Sequence, residues 1–467
     1  MSASKDVVSS DAIRTLFSQA MSEMYRSEVP QYGTLLELVS QSNTEARTQD
    51  AALDRRLRDN DEIERLDLER HGAIRLGTAE ELANMRRLFA VMGMEPVGYY
   101  DLSVAGVPVH STAFRPVSSD ALRRNPFRVF TSLLRLDLLD DVALRAEAAE
   151  ILSRRSIYTP RCLALIEVAE RAGSLDVRSA HAFVSEALET FRWHSEATVS
   201  AQVYQRLRRA HPLVADVVCF KGPHINHLTP RTLDIDAVQA GMPGRNIAPK
   251  AVIEGPPRRK APILLRQTSF KALQETIAFR DEAGAPAQDG THTARFGEVE
   301  QRGVALTPKG RDLYDRLLFQ VREEARVAGD GSNAGAYAAV LARRFEAFPD
   351  DEHTLRREGL AFFRYRPTGR SGGDASAALD DLVASGHVTP EPITYEDFLP
   401  VSAAGIFQSN LGDEGQQNLT EQAAKTAFEA ALGAVVADEN DLYAEAERLS
   451  IEATRAALAG EPGDRDA

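Results

Sequence analysis

The sequence predicts an α+β protein: a central sheet built from two copies of one strand-helix-strand-strand unit, flanked by helical segments. Three observations predict it. A strand-to-helix pattern begins at His71 and returns after Val217. Both copies carry one spacing, with His71 followed by Arg75 at four residues and Thr78 at seven, and His227 by Arg231 at four and Asp234 at seven. Amphipathic helical periodicity fills the stretches before, between and after them.

Taken in order, residues 1–69 read as a helical N-terminal segment. Ile13, Leu16, Phe17, Met21, Met24 and Tyr25 recur at helical spacing behind a Ser9-Ser10-Asp11 start, and a second pattern runs through Leu35, Leu36 and Leu38. The charged run from Asp54 to Asp61 reads as a solvated face. Residues 70–118 form the first unit. His71 to Leu76 is a short strand, Thr78 and Glu81 form a capping box for the following helix, and Tyr99–Ser103 with Val107–Phe114 form a hairpin around Ala105-Gly106.

Residues 119–211 read as a helical insertion and 212–305 as the second unit. In that unit Val217 to Leu228 is expected as a strand, Thr229-Pro230 as helix cap and first-turn proline, and Gly241-Met242-Pro243-Gly244 as the stop. Gly284 to Gly290 reads as a loop before the strand through Glu298 and Glu300. Residues 306–467 form a helical and mixed C-terminal segment that closes the site.

At 467 residues the chain exceeds the ~250–300 residues at which a single core stops growing. Its 55 basic and 69 acidic residues leave a net charge of −14, which excludes a nucleic-acid backbone or an anionic membrane as partner. Cys162 and Cys219 each sit in an apolar run, as reduced core thiols of a cytoplasmic protein do. The N-terminus lacks an apolar secretion core, and no stretch approaches the roughly 18 apolar residues of a membrane span.

The chemistry centres on His224-Ile225-Asn226-His227-Leu228-Thr229-Pro230-Arg231. Two histidines and one carboxylate on a rigid sheet make the facial arrangement that holds ferrous iron and leaves neighbouring positions free for a bidentate 2-oxo acid and O2. His71, His227 and Glu298 are the three candidates. Each histidine taken singly has an ordinary alternative as a satisfied core residue, and it is the repeated spacing that favours a ligand pair. Glu298 and Glu300 share one face of a period-2 strand, so periodicity leaves either as the ligand. His224, on the opposite face from His227, is expected as a supporting residue. Arg75 and Arg231 are candidate carboxylate clamps, with an exposed first-turn position as the alternative for Arg231. Gly369-Arg370-Ser371-Gly372-Gly373 lacks the ending of a phosphate loop, and no G-x-S-x-G elbow supports a hydrolase.

Three stretches carry a resemblance: His224 to Arg231, Arg295-Phe296-Gly297-Glu298-Val299-Glu300-Gln301-Arg302-Gly303, and Tyr395-Glu396-Asp397-Phe398-Leu399-Pro400-Val401-Ser402-Ala403-Ala404-Gly405-Ile406-Phe407. Together they resemble the bacterial 2-oxoadipate dioxygenase/decarboxylase family over nearly the whole chain. The resemblance implies a branch of the vicinal oxygen chelate superfamily, with paired βαβββ modules forming a curved sheet around a metal. Similarity to the last ligand strand of 4-hydroxyphenylpyruvate dioxygenase implies Glu298 as the carboxylate ligand. The implied activity is that of an iron(II) enzyme converting 2-oxoadipate and O2 to 2-hydroxyglutarate and CO2 in lysine breakdown. His71, His227 and Arg75 would then contact the substrate, and the backbone near Val401 would close the pocket. The competing expectations are a chelate-fold lyase or isomerase using another divalent metal, and a non-catalytic metabolite-binding protein.

Overall fold

The computed structural model describes residues 7–59, 62–281, 286–293, 295–328, 331–399 and 414–460. It divides into two units, Met1–Lys250 with Gln267–Gln301 and Phe398–Val436, and Ala251–Arg266 with Arg302–Asp397 and Ala437–Ala467. Among the described residues no helix is long and apolar enough to cross a membrane.

In the first unit a two-residue strand β1 (Val7–Val8) precedes α1 (Ser10–Glu28), whose N-terminus is capped by Ser9 and whose buried face carries Phe17, Met21 and Tyr25. Pro30 opens α2 (Pro30–Gln49), and α3 (Ala51–Asp59) and α4 (Glu62–Leu68) follow. The sheet begins with β2 (Arg70–Leu76). Thr78 then caps α5 (Ala79–Val91), but the Glu81 carboxylate accepts from the Gly77 amide, one residue ahead of the expected capping box, and also binds Arg155 at 2.8 Å. The hairpin of β3 (Glu95–Asp101) and β4 (Val109–Arg115) turns at Gly106, whose φ of 77° suits glycine.

The stretch expected to be wholly helical is not. After α6 (Ser119–Arg124) comes β5 (Arg128–Leu134), every residue of which is buried. A strand covered on both faces has no alternation to betray it. The stretch continues with α7 (Val142–Ser153), α8 (Pro160–Ala172), β6 (Leu175–Asp176, paired with β1), α9 (Val177–Leu188) and α10 (Ala201–Ala210). Both cysteines are buried and free.

A second correction concerns residues 217–230. Val217 and Val218 end a short helix, α11 (Pro212–Val218), and the strand β7 is only His227–Pro230. Thr229 and Pro230 therefore lie in the sheet, and Asp234 caps α12 (Ile235–Gly241). Four consecutive apolar residues are ambiguous between strand and buried helix, and here Pro212 at the first turn decides for helix. β8 (Leu265–Ser269) pairs with β11 (Glu298–Arg302), while β9 (Gln274–Arg280) and β10 (Pro286–Thr293) form a hairpin. The loop expected at Gly284–Gly290 is thus part strand, with Gly284 itself outside the described residues.

The main sheet runs β3-β4-β5-β2-β7, with β2 parallel to β5 and antiparallel to β7. One face is packed by α5, where the Phe89 and Phe114 rings stand 4.9 Å apart. The other carries His71, Ala73 and Arg75 from β2, flanked by Arg128, Phe130 and Ser132 from β5 and by Thr229 and His227 from β7. In the second unit Thr307 caps α13 (Pro308–Glu324), which packs on α14 (Ala334–Phe345) through Tyr314 and Phe345. There α15 (Glu352–Arg357) leads to β12 (Phe363–Pro367), which pairs with β13 (Val388–Pro392), and the helix Glu439–Leu458 bonds to β12 through Glu447, Ser450 and Thr454.

Gly72 is where β2 meets its tightest neighbours. A Cβ there would lie 2.6 Å from Ile225 Cδ1 and 3.1 Å from the His227 carbonyl. Gly72→Ala is expected to destabilise the fold by about 1–3 kcal/mol, read as a lower urea midpoint at unchanged slope.

Candidate metal centre

Strand register brings the two histidines together. In the antiparallel β2–β7 pair, His71 stands opposite Thr229 and Ala73 opposite His227, so the imidazoles are diagonal neighbours on one face. Their centroids are 5.5 Å apart and nearly perpendicular. Glu298 arrives from β11, which is held beside the end of β7 by the Arg231–Glu300 bridge and a 2.7 Å bond from the Thr232 amide to the Glu300 carbonyl. One ligand atom from each of His71, His227 and Glu298 lies within 4.8 Å of the other two, and all three residues are buried.

The two carboxylates divide the work at His71. Glu298 Oε2 lies 3.1 Å from His71 Nε2 and 3.5 Å from His227 Nε2, while Glu300 Oε2 lies 2.9 Å from His71 Nδ1. The shared face expected of the two glutamates is present, with the His71 ring between them. Glu300 turns toward Arg128, while Arg295 is engaged with Glu28 and Glu275 and Arg302 with the Tyr395 and Asp397 carbonyls. Thr229 Oγ1 and Gln267 Nε2 donate to Glu298 Oε2 at 3.1 and 3.0 Å, fixing its orientation. Gly297 permits this approach, since a Cβ there would fall 2.1 Å from the Phe270 ring.

The trio borders a cavity of about 270 Å³, lined also by Arg75, Lys250, Gln267 and Ser269 and by the rings of Phe130, Phe270, Phe296 and Phe398. Phe398 meets His71 edge-on at 4.9 Å, and Phe296 lies 4.8 Å from His227. Arg75 reaches the cavity from the face of β2 that bears His71, and its Nη1 is bonded to Asp216 Oδ2 at 2.7 Å.

Two expected residues stand elsewhere. Arg231 is neither exposed nor at the cavity: it is buried against Glu69 at 2.9 Å and Glu62 at 3.4 Å, because Pro230 and Arg231 continue the strand path rather than begin a helix. His224 lies behind the site, 3.5 Å from Asp216, accepting from Asn226 Nδ2 at 3.1 Å and edge-on to Trp193. Val401 lies outside the described residues. Sequence reading overlooked Thr229, Gln267, Asp216, His292 and Phe398. Thr229 was within reach, being two residues from His227 on one strand face, and so was Asp216, a lone carboxylate in the apolar run Val214 to Val218 that must be paired if buried. Gln267 and His292 had no local signal.

The electrostatics suit a cation. Burial alone would push the His71 imidazole down, yet Glu300 and Glu298 on its two nitrogens outweigh it and hold its pKa above the ordinary value. Burial drives His227 down to about 4, aided by His71 and Arg75 against the pull of Glu298. Burial would raise Glu298, but His227 and His71 keep it below the usual carboxylate range. An ionised carboxylate, a neutral imidazole with a buried Nδ1 that has no hydrogen-bond partner, and a second imidazole held between two acids match the donor set of a divalent metal.

A mixed helix-and-sheet fold that gathers two imidazoles, a carboxylate and a guanidinium around one cavity defines an enzyme acting on a small acidic molecule. A family model described as 2-oxoadipate dioxygenase/decarboxylase matches residues 17–410. The chain is similar to the 2-oxoadipate dioxygenase/decarboxylase of Pseudomonas putida, 60% identical over 97% of this chain and 98% of that one, and to that of Escherichia coli, 58% identical over 95% and 98%. It also superposes on the crystal structure of the Pseudomonas putida hydroxyglutarate synthase in complex with 2-oxoadipate, with a TM-score of 0.90 and 58% identity over 97% and 99% of the two chains. The chain belongs to the 2-oxoadipate dioxygenase/decarboxylase family.

Two outcomes are expected. Glu298→Gln should abolish retention of divalent metal measured by elemental analysis, whereas Glu300→Gln, which removes the acid behind His71, should weaken it about 10- to 100-fold. The second concerns acid. His110, His224 and His227 are driven by burial to about 4, 3 and 4, from 6.5. The unfolded chain therefore takes up protons that the folded chain refuses, and the stability these three contribute above pH 6.5 is lost as pH falls through that window. His71 opposes them, since its raised value adds stability at low pH that is lost as pH rises through it. Burial lowers His194 and His211 as well, so five histidines act in this direction against His71 and the carboxyls of Glu28, Glu439 and Glu447, which burial raises, Glu439 to about 7. With five groups against four, the urea midpoint of the metal-free chain should fall between about pH 7.5 and about pH 4.5.

Proposed function

We propose that the chain is an iron(II)-dependent dioxygenase that decarboxylates and hydroxylates 2-oxoadipate with O2, giving 2-hydroxyglutarate and CO2. The observation that carries the proposal is the convergence of His71, His227 and Glu298 within 4.8 Å, on the sheet face that also presents Arg75. In this reading β2-α5-β3-β4-β5 is a βαβββ module of vicinal oxygen chelate type, and β7-α12 with β8 to β11 is its partner, with one strand more. The strand order and the parallel β2–β5 pair support it. The two buried free thiols support a reducing cytoplasm as its location.

His71, His227 and Glu298 would hold the ferrous ion, which would supply the one-electron chemistry that activates O2. The protein's own groups do the rest. Glu300 Oε2, 2.9 Å from His71 Nδ1, places its charge on the far side of the ring and leaves Nε2 facing the centre. Thr229 and Gln267 fix the Glu298 carboxylate. Arg75 takes the distal carboxylate of the substrate, and a carboxylate–guanidinium pair in a cavity walled by four phenylalanines is worth far more than in water. Those same rings exclude water from the reacting end of the acid.

Oxygen uptake by iron-loaded protein on 2-oxoadipate should match CO2 release and 2-hydroxyglutarate formed one for one. Absence of uptake would overturn the proposal. Arg75→Ala should leave iron retained and weaken substrate binding by about 2–5 kcal/mol, seen as a raised KM.

A further inference from the structure

The guanidinium that faces the cavity is anchored from outside it. Arg75 makes a single ion pair among the described residues, to Asp216 Oδ2 at 2.7 Å, and Asp216 is not among the cavity-lining residues. Asp216 is 6% exposed on α11. Its Oδ1 accepts from His292 Nε2 at 2.9 Å, and His292 Nδ1 lies 2.9 Å from the Tyr204 hydroxyl. With Nε2 as donor, Nδ1 is left to accept from Tyr204, so one neutral tautomer satisfies both bonds. His224 stands 3.5 Å away on the same oxygen, and Trp193 stacks on His292 at 6.0 Å. Helices α10 and α11, the β10 strand and the loop before β7 thus converge to immobilise one carboxylate, and that carboxylate grips one nitrogen of Arg75.

We infer that Asp216 is a positioning residue that sets the preference for a 2-oxo acid bearing a second carboxylate, by fixing the Arg75 guanidinium through Nη1 and leaving its other N–H groups to the cavity. The inference rests on the reading above that Arg75 takes the distal carboxylate. An unrestrained arginine explores many rotamers, and each must be given up when a ligand binds. Asp216 removes that freedom beforehand. It also cancels much of the long-range field of Arg75, so what the pair offers is a bond of fixed direction, which discriminates between acids more than it attracts them. A mere core ion pair needs only mutual contact, whereas Asp216 carries a dedicated second partner on its other oxygen.

The test compares iron-loaded full-length wild type, Asp216→Asn, Arg75→Ala and the double variant. Oxygen uptake on 2-oxoadipate is read beside competitive inhibition by 2-oxohexanoate, which lacks the second carboxylate. Asp216→Asn should raise KM for 2-oxoadipate about tenfold, leave inhibition by 2-oxohexanoate unchanged, and add nothing in the Arg75→Ala background. If Asp216→Asn does not fold, His292→Gln, which frees Asp216 Oδ1 but spares the bond to Arg75, should give the same substrate-dependent rise in smaller measure. An equal loss toward both acids, or an effect that persists without Arg75, overturns the inference and leaves Asp216 a structural residue. Wild type without oxygen uptake on 2-oxoadipate overturns the proposed activity and the inference with it; an active wild type with unaltered preference in the variants overturns the inference alone.

Discussion

The antiparallel register of β2 against β7 is the constraint on which the site depends. With Ala73 opposite His227 and His71 opposite Thr229, both imidazoles and the Arg75 side chain issue from one face. A slip of one residue would turn His227 toward the face covered by α5 and leave His71 facing a leucine. Gly72, lying between the two paired positions, lets Ile225 close over the strand without pushing the register apart. The third member, Glu298, depends on the same arrangement, because β11 is tethered to the chain that continues from β7.

Behind His71 lies a group of fully buried charges. Glu69 accepts from Arg65 at 3.1 Å and from Arg128 and Arg231 at 2.9 Å each, and Arg128 stands 3.9 Å from Glu300. Desolvating so many ions is costly, and such clusters are weak sources of stability. Their effect here is local. Glu300 has a guanidinium 3.9 Å from one oxygen and an imidazole 2.9 Å from the other, and its side chain is fully buried. The N-terminal helices, which contribute nothing to the cavity walls, thereby take part in holding the His71 ring.

Much of the site was legible in the sequence, and the reasons differ by residue. The recurrence of a basic residue four places after each histidine marked both strands, but the two arginines diverge: Arg75 stays on the cavity side of β2, while Arg231 follows the end of β7 into the buried charges. A spacing records where the backbone goes and not which neighbours a side chain meets. β5 was missed because burial on both faces erases the alternation that marks a strand, and α11 because a short apolar run reads either way. Glu300 behind His71 could be placed on the right face but not given its partner, since that depends on the pairing of strands distant in sequence. His292 and Gln267, contributed by strands with no motif, were beyond local reading altogether.

Strand β2 carries both ends of the proposed site, an iron ligand at His71 and a carboxylate clamp at Arg75. Four residues of extended backbone span about 13 Å, and hydrogen bonds to β5 along the strand keep that length from changing. On this reading the polypeptide acts as a ruler laid beside the substrate, with the keto acid at one mark and the far carboxylate at the other. The strand thus keeps the two anchors at one separation, and any difference in the length of the acid is met by the Arg75 side chain rather than by the backbone.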